Sequence, residues 1–169
     1  PLAIAAITVA VFSPALQYGF ILWDDDRNLL TNPYYRGLGW AQIRWAFTSA
    51  VMGHWIPVTW LTLGADYAMW GLRPFGYHLT NLLLHAASGG LFYLVARRLL
   101  GLAMPSASQL ARGLGAGAAA LFFSAHPLRV ESVAWITERR DLTSGLFFLL
   151  MLLAYLKAHE RAPEVCQGW

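Results

Sequence analysis

Three consecutive aspartates, Asp24, Asp25 and Asp26, follow directly on an apolar run that ends Phe20-Ile21-Leu22-Trp23. Carboxylates at the mouth of an apolar segment are costly next to lipid, so they face water or a site inside the protein. Two chemistries suit such a triplet. A carboxylate, Asp24 or Asp25, can act as a general base that takes a proton from an acceptor hydroxyl. Alternatively, Asp25 and Asp26 can hold a divalent cation such as Mg2+ or Mn2+, because hard cations prefer carboxylate oxygens. The plainer role is a cap on the turn that follows, a position aspartate favours.

A second polar stretch runs from His126-Pro127-Leu128-Arg129-Val130-Glu131 to Glu138-Arg139-Arg140-Asp141. His126, Arg139 and Arg140 can steady a phosphate leaving group, since the planar fork of arginine matches phosphate oxygens. Glu131 belongs with that set or forms a structural pair with Arg129 or Arg140. His78, Asn81 and His85 share one helical face. The two histidines either join the lipid-phosphate set or, the commoner role, pack as hydrogen-bonded residues between helices.

The elements that must position these groups follow from composition. The 169 residues are 57% hydrophobic and only 12% charged, where soluble domains carry roughly 25% charge. The class this points to is all-α, a polytopic transmembrane bundle. Spans are expected at about residues 1–13, 77–98, 110–125 and 142–157, with outer loops over 14–76 and 126–141 and a polar tail over 159–169. Residues 1–158 form the membrane domain, and the chain reads as a piece of something longer. In the first outer loop, Trp40, Ile43 and Phe47 fall on one face of a short amphipathic helix suited to an interface. Pro57 opens a second helix to about Trp70, short for a span, with Thr59, Thr62 and Asp66 on one stripe and Val58, Leu61, Ala65 and Met69 on another. Gly113, Gly115 and Gly117, with Ala116 and Ala118–Ala120, predict a close helix approach. The single cysteine, Cys166, excludes a disulfide framework, and no Lys/Arg-rich run points to nucleic acid.

Orientation decides whether the two polar stretches can meet. The 97–112 loop carries Arg97, Arg98 and Arg112 and no acid, which places it on the cytoplasmic side. The aspartates and 126–141 then share the opposite face, periplasmic for a bacterial inner membrane and lumenal in a eukaryote.

Three segments resemble a known family: Trp23-Asp24-Asp25-Asp26 with Asn32-Pro33; His54-Trp55-Ile56-Pro57-Val58-Thr59-Trp60 followed by Gly76-Tyr77-His78-Leu79-Thr80-Asn81; and His126-Pro127 through Asp141. In order and spacing, over about residues 18–158, they resemble the amino-terminal membrane part of the transmembrane-and-tetratricopeptide-repeat proteins and their bacterial relatives. The resemblance implies a partial C-type glycosyltransferase fold with two membrane-parallel helices in the first outer loop. It implies a polyprenyl-phosphate sugar donor taken from the membrane lipid, a protein or glycan acceptor, and an aspartate base with inversion at the sugar, at the matching positions Asp24 and Asp25. Eukaryotic members of the family carry out O-mannosylation of protein. No 34-residue helical repeat occurs in this chain. The alternatives are a transporter or lipid-handling protein with the His78–His85 stripe lining a path, and a non-catalytic, truncated membrane anchor.

Overall fold

A computed structural model describes residues 1–160, and the expected polar tail, with Cys166, lies almost wholly outside the described residues. Within them the chain is helical. The elements are α1 (Leu2–Phe12), α2 (Trp40–Thr48), α3 (Pro57–Trp70), α4 (Pro74–Ala103), α5 (Gln109–Ala125), α6 (Arg129–Ala134) and α7 (Arg139–Glu160). Short 3-10 turns cover Ser13–Gln17 and Ile136–Glu138, and a π turn covers Asp26–Leu30.

Local chemistry sets these boundaries. Pro57 and Pro74 sit in the first turns of α3 and α4, where a missing N–H costs nothing. Gly71, with φ 61°, ends α3 in a conformation that a Cβ would oppose. Ser108 caps α5 by accepting from the Ala111 N–H at 3.1 Å. Two helical stretches, Pro74–Ala103 and Ile136–His159, are long and apolar enough to cross a membrane, while Leu2–Gln17 is apolar but shorter.

The central element is α4, which packs against α1, α5 and α7. Of the glycines of α5, Gly115 comes near α4, where a Cβ would stand 3.3 Å from Leu100. A Cβ on Gly117 would meet nothing within 4 Å, and one on Gly113 only the Tyr93 hydroxyl at 3.9 Å. The buried face of α5 is instead Ala116, Ala120 and Ser124. A close three-helix crossing lies on α4, where a Cβ at Gly89 would stand 3.1 Å from Ser124 and 3.4 Å from Thr8 of α1.

Several helices bury polar groups beside their apolar core residues and expose apolar side chains. On α3, Thr59 and Asp66 are buried and Thr62 is half-buried, while Val58 and Met69 are exposed. On α4, His78, Asn81 and His85 are buried and Leu83 is exposed; on α7, Phe147, Phe148 and Met151 face outward. The Trp40 and Phe47 side of α2 also faces away from the core, whereas Ala46 and Trp45 pack inward against Trp60.

One contact fixes the 35–37 turn against α3. Gly64 of α3 lies under the backbone of 35–37, so a Cβ there would stand 2.5 Å from the Gly37 oxygen and 2.8 Å from the Tyr35 oxygen. Gly64→Ala is expected to cost about 1–3 kcal/mol, as overpacking of a rigid backbone contact does, with Gly117→Ala neutral. Thermal unfolding in detergent reads both, and an unchanged midpoint for Gly64→Ala would refute the contact.

Candidate functional site

The site is built where three chain segments end at one side of the bundle. The aspartates follow α1, the amino-terminal turns of α4 lie beneath, and the α6–α7 junction closes over them. Asp25 is fully buried. Its Oδ2 accepts from the Ile21 N–H at 2.9 Å, while its Oδ1 accepts from the Thr137 N–H at 3.0 Å and from the Thr137 hydroxyl at 2.6 Å. The early acidic segment and the later polar segment are thus joined directly, 112 residues apart in sequence. No aspartate side chain caps the Asp26–Leu30 turn, so the capping role does not describe this geometry. Asp24 is half-buried, and one carboxylate oxygen of Asp26 is buried without a partner.

Beneath this contact lies a buried ionic network. Arg139, fully buried, forms an ion pair with Asp66 of α3 at 2.5 Å. Its Nε donates to Asn81 Oδ1 at 2.7 Å, one terminal nitrogen to the Tyr77 carbonyl at 2.8 Å and the other to Thr62 Oγ1 at 3.5 Å. Asp66 also accepts from the Thr80 hydroxyl at 2.6 Å. The Asn81 amide donates to the carbonyls of Val133 and Trp135 at 3.3 and 3.4 Å. One arginine therefore ties α3, α4 and the start of α7 together, two residues beyond the Thr137 that holds Asp25. The Tyr77 ring borders the network, and its hydroxyl bonds that of Tyr35 at 3.1 Å. Burial pushes the Tyr35 hydroxyl above its ordinary pKa, so it stays protonated.

The other expected residues scatter around this centre. Arg139 is committed inside the protein and presents no free donor edge to a ligand. Arg140, half-buried, pairs with Glu138. It also lines a groove of about 400 Å3 with Phe47, Trp55, Val58, Thr143, Ser144 and Phe147. A narrower crevice at the same arginine is lined by Asn28, His54, Trp60 and Thr137, with the Trp60 indole N–H buried and unpartnered. Arg140 therefore stands between the groove and the residue that holds Asp25. His85 bonds the Ser124 carbonyl at 2.8 Å and meets Phe12 edge-on at 5.3 Å. His78 lies 3.4 Å from the Gly19 carbonyl. Both rings pack between elements. Glu131 is exposed and pairs with neither Arg129 nor Arg140. Among the described residues, no group of three or more His, Cys, Asp or Glu converges as a metal centre requires.

Sequence reading did not single out Asp66 or Thr137 for the site. The stripe of Thr59, Thr62 and Asp66 on a short apolar helix was the available signal for Asp66. Thr137 carried none, because its role depends on a contact across the whole chain.

Removing Asp66 leaves a buried guanidinium without its counter-charge, so Asp66→Ala is expected to cost about 3–5 kcal/mol. Asp66→Ala with Arg139→Met removes both charges and is expected to recover most of that loss. Denaturant unfolding reads both; a single variant as stable as wild type would show that the pair does not hold the junction.

The chain is similar in sequence to known proteins. Over 161 residues, 90% of the chain, it is 34% identical to protein O-mannosyl-transferase TMTC2 of Mus musculus and of Homo sapiens. It is 33% identical over 161 residues to protein O-mannosyl-transferase Tmtc1 of Drosophila melanogaster. The chain spans only 17–18% of the length of these relatives. No protein-family model and no solved structure matches it. Through nearly all of its length, the chain is therefore a homologue of a short section of the TMTC protein O-mannosyl-transferases.

Proposed function

We propose that this chain is part of a multi-pass membrane glycosyltransferase that moves a sugar from a polyprenyl-phosphate donor to a hydroxyl of a protein acceptor. The observation that carries this reading is the direct Asp25–Thr137 contact, which brings the acidic triplet to the basic α6–α7 junction. The names of the relatives support the reaction class. The buried polar groups and exposed apolar side chains of α3 and α4 support the membrane setting, because apolar side chains outside and polar groups inside suit lipid as solvent. The Lys/Arg rule places the aspartate face on the periplasmic or lumenal side.

In this reading the carboxylates divide the work. Asp25 has both oxygens engaged by three donors and positions the segment. Asp24, half-buried, takes the proton of the acceptor hydroxyl. The hydroxyl oxygen bonds to the sugar anomeric carbon from the face opposite the leaving group, the carbon–oxygen bond to phosphate breaks, and the configuration inverts. Polyprenyl phosphate departs with the electron pair. Arg140, at the head of the apolar groove, leaves Glu138 to meet that phosphate, with the first isoprene units along Phe47, Trp55 and Phe147.

Asp24→Asn in the full-length protein is expected to lower kcat for sugar transfer by about 10²–10⁴, the span general-base catalysis contributes. Arg140→Gln is expected to raise KM for the lipid donor. Radiolabelled transfer to an acceptor peptide measures both, and undiminished transfer by Asp24→Asn would remove the triplet from the chemistry.

A further inference from the structure

The transfer reading leaves the His126-Pro127 corner unused. There α5 ends and α6 begins, around a cavity of about 440 Å3 lined by Phe122, Phe123, His126, Leu128 and Arg129. It shares none of these residues with the Arg140 groove.

We propose that this α5–α6 corner binds the phosphate headgroup of an anionic membrane phospholipid. Three observations carry the inference. First, the Arg129 guanidinium is placed without a carboxylate. It lies 4.4 Å above the Phe123 ring, which stacks on Phe92 of α4 at 4.6 Å. A guanidinium held by its face keeps its donor edges for an acceptor. Neither ion pair among the described residues includes Arg129. Second, His126 is oriented towards the same cavity. Its Nδ1 accepts the Leu128 N–H at 3.2 Å, which puts the proton of the neutral ring on Nε2. Its ring meets Phe122 edge-on at 5.0 Å. The lining therefore offers an arginine fork and an imidazole N–H and no acid.

Third, the surroundings favour a lipid over a soluble anion. Phe122 and Leu128, on the rim, are 71% and 79% exposed, and Val130 is exposed beside them. Across Pro127 opens a second, largely apolar cavity of about 300 Å3 between Tyr18, Pro14 and Val11 of the first segment and Ala125 and Ala134. A headgroup at Arg129 would have acyl chains beside apolar walls on both sides. The inference rests on the membrane setting proposed above, and not on sugar transfer.

The test is lipid retention by the full-length protein, purified from mixed phosphatidylglycerol and phosphatidylcholine and read by native mass spectrometry. Wild type is expected to keep phosphatidylglycerol in clear excess. Arg129→Gln and His126→Ala are each expected to bring retention down to the phosphatidylcholine level. Arg112→Gln, which changes the same net charge in the first turn of α5, is expected to retain the preference. Equal retention by wild type and Arg129→Gln would overturn the proposal, as would equal loss in Arg112→Gln, which would mean diffuse charge attraction. Full displacement by inorganic phosphate would also overturn it, because the site would then take a soluble anion. Retention is read without catalysis, so an undiminished Asp24→Asn enzyme would refute the transferase reading and leave this result standing.

Discussion

The arrangement depends on one buried charge pair. Arg139 and Asp66 are both removed from solvent, and desolvating two such ions costs several kcal/mol each unless attraction and hydrogen bonds offset it. The offset here is structural. Asn81, Thr62 and the Tyr77 carbonyl supply acceptors to the guanidinium, and Thr80 supplies a donor to the carboxylate. Every one of those partners lies on α3 or α4. The start of α7 can therefore sit in only one place relative to them, and Ile136–Glu138 is fixed with it. Thr137 follows, and through Thr137 the carboxylate of Asp25. A polar network costs more than an apolar core if half satisfied, yet specifies one geometry when complete. Its value at this junction is that second property.

The membrane setting proposed above would make the same network sensible. In water, apolar burial would hold α3 against the bundle by its Val58–Met69 stripe. The ends of that stripe, Val58 and Met69, instead face out, and Thr59 and Asp66 face in beside Trp60 and Leu63. Where the surroundings are as apolar as leucine, burying apolar side chains gains little, and association falls to packing and interhelical hydrogen bonds. The fully buried Ala116 and Ala120 on α5 and the close crossing at Gly89 supply the packing. Asp66, Asn81, His85 and Arg139 supply the bonds. In that setting the exposed apolar side chains and the ionic core are two aspects of one condition.

Much of this was legible in the sequence, and the remainder was not for a physical reason. Periodicity and proline placement define α2 and α3 closely, because those signals are local. The shared face of His78, Asn81 and His85 follows from spacing alone, and all three are buried. Charge type could not tell Arg139 from its neighbour Arg140. Both read as phosphate ligands, yet one is sealed in an ion pair and the other lines a groove. The difference is a rotation of about 100° along a helix start, settled by which arginine meets Asp66. The small residues of α5, glycines and alanines alike, are sorted for a related reason. Small residues permit close approach, but helix rotation decides which of them a neighbour uses, and it buried Ala116 and Ala120.

The same distinction applies to the aspartates. Three adjacent carboxylates look equivalent in a string of letters, and the backbone makes them unequal. Asp25 points inward and is saturated by an amide from its own segment and two donors from Thr137. A carboxylate so engaged has little capacity left to accept a substrate proton, but it is well suited to fixing the chain on either side. Asp24 is displaced from that inward position by one residue and retains access to solvent. A base must reach its proton before its basicity matters. Under the proposed transfer the triplet divides into a residue that would hold, Asp25, and one that would react, Asp24, with the Asp25–Thr137 hydrogen bonds fixing the segment that carries both.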